Sequence, residues 1–135
     1  MVEKFEGIVK GATEIVWLDR VIHWIFHDKI GPEELIALFG AFYGHESFDH
    51  ARGQIRNFRS VSSIEMEGNA VQVVQKIAAF DRAAAISNPY MKVAVVTPDD
   101  IDHKMLASLY GAELYGSPWQ VEIFDCEEAA KRWIK

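Results

Sequence analysis

Residues 54–74 read QIRNFRSVSSIEMEGNAVQVV, and the fold depends on how this stretch divides. Ile55, Phe58 and Val61 recur every third residue, a spacing that suits a helix about as well as a strand. The neighbouring patterns favour a strand over Gln54–Val61, because a parallel strand buried on both faces need not alternate. A tight polar connection follows, and a helix is predicted from Asn69 to about Ile86, with Val73, Ile77, Phe80 and Ala84 at helical spacing and Ser87-Asn88-Pro89 as its stop.

Upstream, EIVWLDRVIHWIFHD (14–28) alternates Ile22, Trp24 and Phe26 with Val21, His23, Ile25 and His27. This pattern predicts a hairpin turning near Asp19-Arg20. Gly31-Pro32 opens a helix: Pro at the first position gives up no hydrogen bond, and Glu33 and Glu34 suit the positive end of the helix dipole. Leu35, Leu38, Phe39 and Phe42 form its inner face, and Gly44 is expected to end it in a left-handed turn. HESFDHAR follows as a loop that could prolong helical structure, and residues 1–12 read as an arm or a short edge strand.

Downstream, residues 91–96 (MKVAVV) form the continuous apolar run of a central strand. Thr97 is then expected as a helix cap with Pro98 at the first position, and Met105, Leu106, Leu109 and Ala112 as the inner face. Trp119, Val121 and Ile123 alternate with Gln120 and Glu122 in a last strand, and Asp125 with Glu128 reads as a capping box for a last helix holding Ala129, Ala130 and Trp133 inside. The predicted fold is α/β: a mixed sheet of about five strands, antiparallel in the hairpin and parallel across helical crossovers, with about four helices. Residues 1–135 are expected to form one domain.

Composition excludes several functions. Lys+Arg 14 against Asp+Glu 20 gives a net charge of -6, which would repel a nucleic-acid backbone. The lone Cys126 rules out an internal disulfide and suits a reducing, cytoplasmic setting. The first residues resemble neither a signal nor a transit peptide, and no apolar run reaches the roughly 20 residues of a spanning helix.

Catalytic signatures are absent: there is no GxSxG elbow, phosphate-binding glycine loop or HExxH pair. His23 and His27 on a strand would stand four steps of about 3.3 Å apart, too far for one metal ion. His45 and His50, with Glu46 and Asp49, lack metal-site spacing, and Cys126 sits among acids that oppose a thiolate. No metal and no cofactor is therefore expected, and the reading is non-enzymatic.

Two groups remain as candidate ligand contacts. Arg52, Arg56 and Arg59 cluster beside Asn57; they either pair with nearby carboxylates or, with Glu67, Thr97 and Asp99, form an anion rim at the carboxyl ends of the parallel strands. Phe39, Phe42 and Tyr43 on one helix, and Tyr110, Leu114 and Tyr115 on another, exceed what one narrow face needs. Such a surplus serves an apolar ligand cavity, a dimer interface or membrane contact.

RNFRSV, KVAVVTPDD (with Val93-Ala94-Val95-Val96-Thr97-Pro98-Asp99) and SPWQVEIFDCEEAAKRWI resemble the SpoIIAA-like family of the STAS superfamily, over roughly residues 14–134. The resemblance implies a STAS-like fold that binds an apolar or lipid-like small molecule and associates peripherally with membranes. In STAS proteins that antagonise anti-sigma factors, a serine in a phrase close to I-D-S-S-G is phosphorylated. Here the similar position reads Ile64-Glu65-Met66-Glu67-Gly68, without either serine. A kinase-driven switch would have to use Ser62 or Ser63 instead. The alternative to ligand binding is a protein-interaction module or homodimeric regulatory domain.

Overall fold

The computed structural model describes residues 13–64 and 70–135; the N-terminal arm, and the connection that carries Glu67, lie outside them. The chain runs β1 (Glu14–Leu18), β2 (Val21–Ile30), α1 (Pro32–Tyr43), a 3-10 turn (Glu46–His50), β3 (Gly53–Ile64), α2 (Ala70–Ser87), β4 (Lys92–Val96), α3 (Ile101–Leu114), β5 (Gln120–Phe124) and α4 (Glu127–Ile134). The five strands lie side by side in chain order; β1 pairs antiparallel with β2 and every later pair is parallel.

The strand order decides the layering. Each helical crossover steps in the same direction across the sheet, so right-handed connections put α1, α2 and α3 on one face. Accordingly, Phe39, Ala78 and Tyr110 from these helices share one buried cluster with Trp24, Phe26 and Val95 of the sheet. The opposite face carries a smaller cluster in which Ala130 of α4 meets Ile55, Ala94 and Val96.

The β1–β2 turn uses Asp19 (φ 52°) and Arg20 (φ 66°), both left-handed, which matches the twist of a two-residue hairpin. Strand β3 explains its own ambiguous spacing. Ile25 pairs with Asn57 but His27 pairs with Ser60, so β3 carries an extra residue there. Alternation puts Ile55 in the α4 cluster and Phe58 on the α1–α3 side, and the extra residue then keeps Val61 on the side of Phe58. The period of three is thus a strand with a phase slip.

Several local expectations are corrected. Helix α1 does stop at Gly44, but in a right-handed conformation (φ -86°), and the last carbonyls are met by tightened turns, including His45 N–H to Phe42 O at 2.9 Å. The loop after it holds the 3-10 turn. Helix α3 is capped by Asp100, whose carboxylate accepts from His103 N–H at 3.0 Å, rather than by Thr97. Thr97 N–H bonds the Phe124 carbonyl and keeps its backbone in the sheet. Of the expected inner face, Leu106 and Leu109 pack partly buried against the core, but Met105 is 63% exposed and Ala112 is also exposed, while Ala107, Tyr110 and Leu114 are the buried residues. For α4, Cys126 and not Asp125 holds the cap position, without a side-chain bond.

Candidate functional site

The site begins with Arg56, which β3 directs into the α1–α3 face. Its side chain is 3% exposed and would be destabilised there without compensation. All five of its N–H groups have acceptors: Nε reaches Gln54 Oε1 (3.2 Å), one terminal nitrogen reaches Asp81 (2.8 Å) and the Tyr110 hydroxyl (3.0 Å), and the other reaches the Tyr43 hydroxyl (3.0 Å) and Gln54 Oε1 (3.1 Å). Both phenols in turn donate to Asp81, Tyr110 at 2.6 Å and Tyr43 through a very short bond. Trp24 Nε1 donates to Gln54 Oε1 at 3.0 Å.

The charges of the network cancel and every guanidinium N–H is bonded; Gln54 Nε2 is left without a partner among the described residues. Burial would lower the affinity of Arg56 for its proton, but Asp81 and the two phenols hold it above its ordinary value. Burial, reinforced by Asp81, raises Tyr43 and Tyr110 well above the usual phenol range. The guanidinium also lies 3.9 Å from the Phe39 ring centre. With no donor to spare, Arg56 is a structural cation rather than an anion receptor.

Above this network lies a partly enclosed cavity of about 80 Å³ at the carboxyl ends of the parallel strands. Leu35 and Phe39 come from α1, Phe58 from β3, Val74 and Ile77 from α2, and Leu106 and Tyr110 from α3. Phe58, two residues after Arg56 and so on the same face of β3, stacks on Phe26 at 4.7 Å. Two polar side chains also line the cavity: Thr97, 2% exposed, and His103. Neither Thr97 Oγ1 nor His103 Nε2 has a hydrogen-bond partner among the described residues. His103 Nδ1 lies 2.7 and 2.9 Å from the two Asp100 carboxylate oxygens.

The candidate residues read from the sequence distribute unevenly. Phe39, Tyr110 and Thr97 line the cavity. Phe42 is fully buried in the aromatic core against Trp24 and Phe48, and Tyr43 is in the Arg56 network. Tyr115 is 87% exposed beside a separate open hollow that also includes Trp119 and Trp133. Asn57 accepts from Arg59 N–H, and the Arg59 guanidinium donates to the Asp125 carbonyl through a very short bond. Asp99 pairs with Lys104 at 2.7 Å, and Glu67 lies outside the described residues.

Asp81, Gln54 and His103 are the polar residues that the sequence reading did not single out. One signal was present: Asp81 interrupts the Val74, Ala78, Ala85 stripe of α2, and a carboxylate on an inner stripe calls for a buried cation. Among the described residues, no group of three or more His, Cys, Asp or Glu is placed to hold a metal ion, and no helix is long and apolar enough to cross a membrane. Comparison with protein-family models, curated proteins and solved structures returns no match.

Proposed function

We propose that the chain is a non-enzymatic, STAS-like domain of the SpoIIAA-like kind that binds a small apolar molecule between α1, α2 and α3. The cavity carries the reading. It lies where open α/β sheets place ligands, its walls are aromatic and aliphatic, and the one buried cation at its base is fully neutralised. At about 80 Å³ it is far smaller than the roughly 300–1,000 Å³ of drug-sized sites. The ligand is therefore a compact molecule, or the end of a longer lipid-like chain.

Native mass spectrometry of the purified protein and NMR titration with toluene test this reading. Binding should shift resonances of Phe58, Ile77 and Ala107, and Ala107→Phe, which fills the cavity, should abolish the shifts. No co-purified apolar molecule together with no toluene shift would sink the proposal.

A second reading, self-association or peripheral membrane contact, is favoured by Ile101 (75% exposed) and Met105 (63% exposed), one turn apart on α3. Sedimentation and liposome flotation of Ile101→Glu/Met105→Glu decide it: a wild type that is already monomeric and does not float leaves this face without a partner role.

A further inference from the structure

The two unpartnered polar atoms in the cavity wall define the head of the ligand. A buried hydroxyl or imidazole nitrogen without a partner costs free energy that the fold recovers only when something fills it. Thr97 is held in place on both sides, by its own N–H bond to Phe124 at 3.0 Å and by its burial at 2% exposure, so its hydroxyl cannot swing out to water. His103 is fixed by Asp100, whose two carboxylate oxygens lie 2.9 and 2.7 Å from Nδ1. In the tautomer that donates Nδ1–H to Asp100, Nε2 is left as an acceptor.

We infer that the cavity selects a small uncharged molecule with one hydroxyl on an apolar body, an alcohol or a phenol. Its O–H donates to His103 Nε2 and its oxygen accepts from Thr97 Oγ1. This assignment rests on the ligand-binding reading above and adds the chemical class of the ligand.

Charge argues against the nearest competitor, a carboxylate. Every donor of Arg56 is occupied, Lys104 is held by Asp99, and Asp100 stands directly behind His103. An anion entering here would lose its hydration without meeting a free cation. A hydroxyl supplies the donor and acceptor that the two wall atoms lack, and the rings of Phe39, Phe58 and Tyr110 suit a flat apolar body.

NMR titrations with toluene, phenol and benzoate, on the wild type and on Thr97→Val and His103→Leu, test the inference. Phenol should bind roughly tenfold tighter than toluene, the effect of two modest hydrogen bonds, and benzoate weakest. Each substitution should weaken phenol about three- to tenfold and leave toluene unchanged, with a urea midpoint no lower than that of the wild type showing that the fold is intact. Toluene binding with no preference for phenol, or a phenol affinity that ignores both substitutions, overturns the head-group assignment and leaves the apolar cavity standing. Failure of both toluene and phenol to bind overturns the two together, and a preference for benzoate overturns the uncharged head.

Discussion

Two sets of polar side chains reach the same small cavity, one through Arg56 and Tyr110 and the other through Thr97 and His103. At its base, Arg56, Asp81, Tyr43, Tyr110 and Gln54 bond one another until every guanidinium N–H is used. In its wall, Thr97 and His103 each keep one buried polar atom without a partner among the described residues. The base, with its charged groups all bonded, holds the fold and offers a ligand no free charge, whereas the unsaturated pair in the wall adds little to the fold and is open to a ligand.

Removing a member of the base breaks the contrast most severely. Asp81→Ala leaves a buried guanidinium unpaired and should cost about 3–5 kcal/mol in urea unfolding. The double replacement Arg56→Met/Asp81→Leu should recover most of that loss, since apolar residues of similar size replace buried ion pairs well. A double variant no more stable than Asp81→Ala would show that the network has a role beyond charge compensation. Tyr110→Phe, which removes one hydroxyl from both charges, should cost about 1–2 kcal/mol.

The wall should respond in the opposite sense. Thr97→Val removes a buried hydroxyl that has no partner and keeps its shape, so ligand-free stability should be unchanged or higher by up to about 1 kcal/mol. A clear loss in the urea midpoint would mean that this hydroxyl is satisfied in solution, and the contrast would fail.

The smallest effect is on the far face of the sheet. Burial lowers the pKa of His23, partly offset by Glu127 at 3.6 Å, with Lys131 acting in the same direction as burial. A lowered folded-state value means that stability is complete above the unfolded value of about 6.5 and declines as pH falls below it. His23→Phe should flatten that decline in pH-dependent thermal unfolding. An unchanged acid limb would place the titration elsewhere.

The sequence made the layers legible because they follow from periodicity and order. Ile22, Trp24 and Phe26 alternate as a half-covered strand must, and Gly31-Pro32 and Ser87-Asn88-Pro89 are strong boundaries. Phase was less legible. The β3 bulge moves Val61 to the face opposite Ile55, and nothing in local composition announces an inserted residue. Thr97 and Asp100 both satisfy cap chemistry, and the choice was made by a carbonyl of β5, a strand more than twenty residues further on.

The site was harder to read for the same reason. Arg56 and Asp81 are 25 positions apart and meet only because β3 and α2 pack face to face. The apolar surplus of Phe39 and Tyr110 was visible in the sequence; the saturation of Arg56 and the orphaned atoms of Thr97 and His103 are properties of three-dimensional closure.

The side-by-side strand order also bears on how the chain assembles. Every strand bonds to the one that came before it, so β1 through β4 can be added to the sheet as the chain emerges, without waiting for a distant partner. Arg56 arrives with β3, when Gln54 and Tyr43 are already made but Asp81 is not. Without α2, the guanidinium would have only the neutral Gln54 and Tyr43 beside it. The carboxylate that compensates this charge comes from α2, so a dry interior around Arg56 requires that helix to be in place.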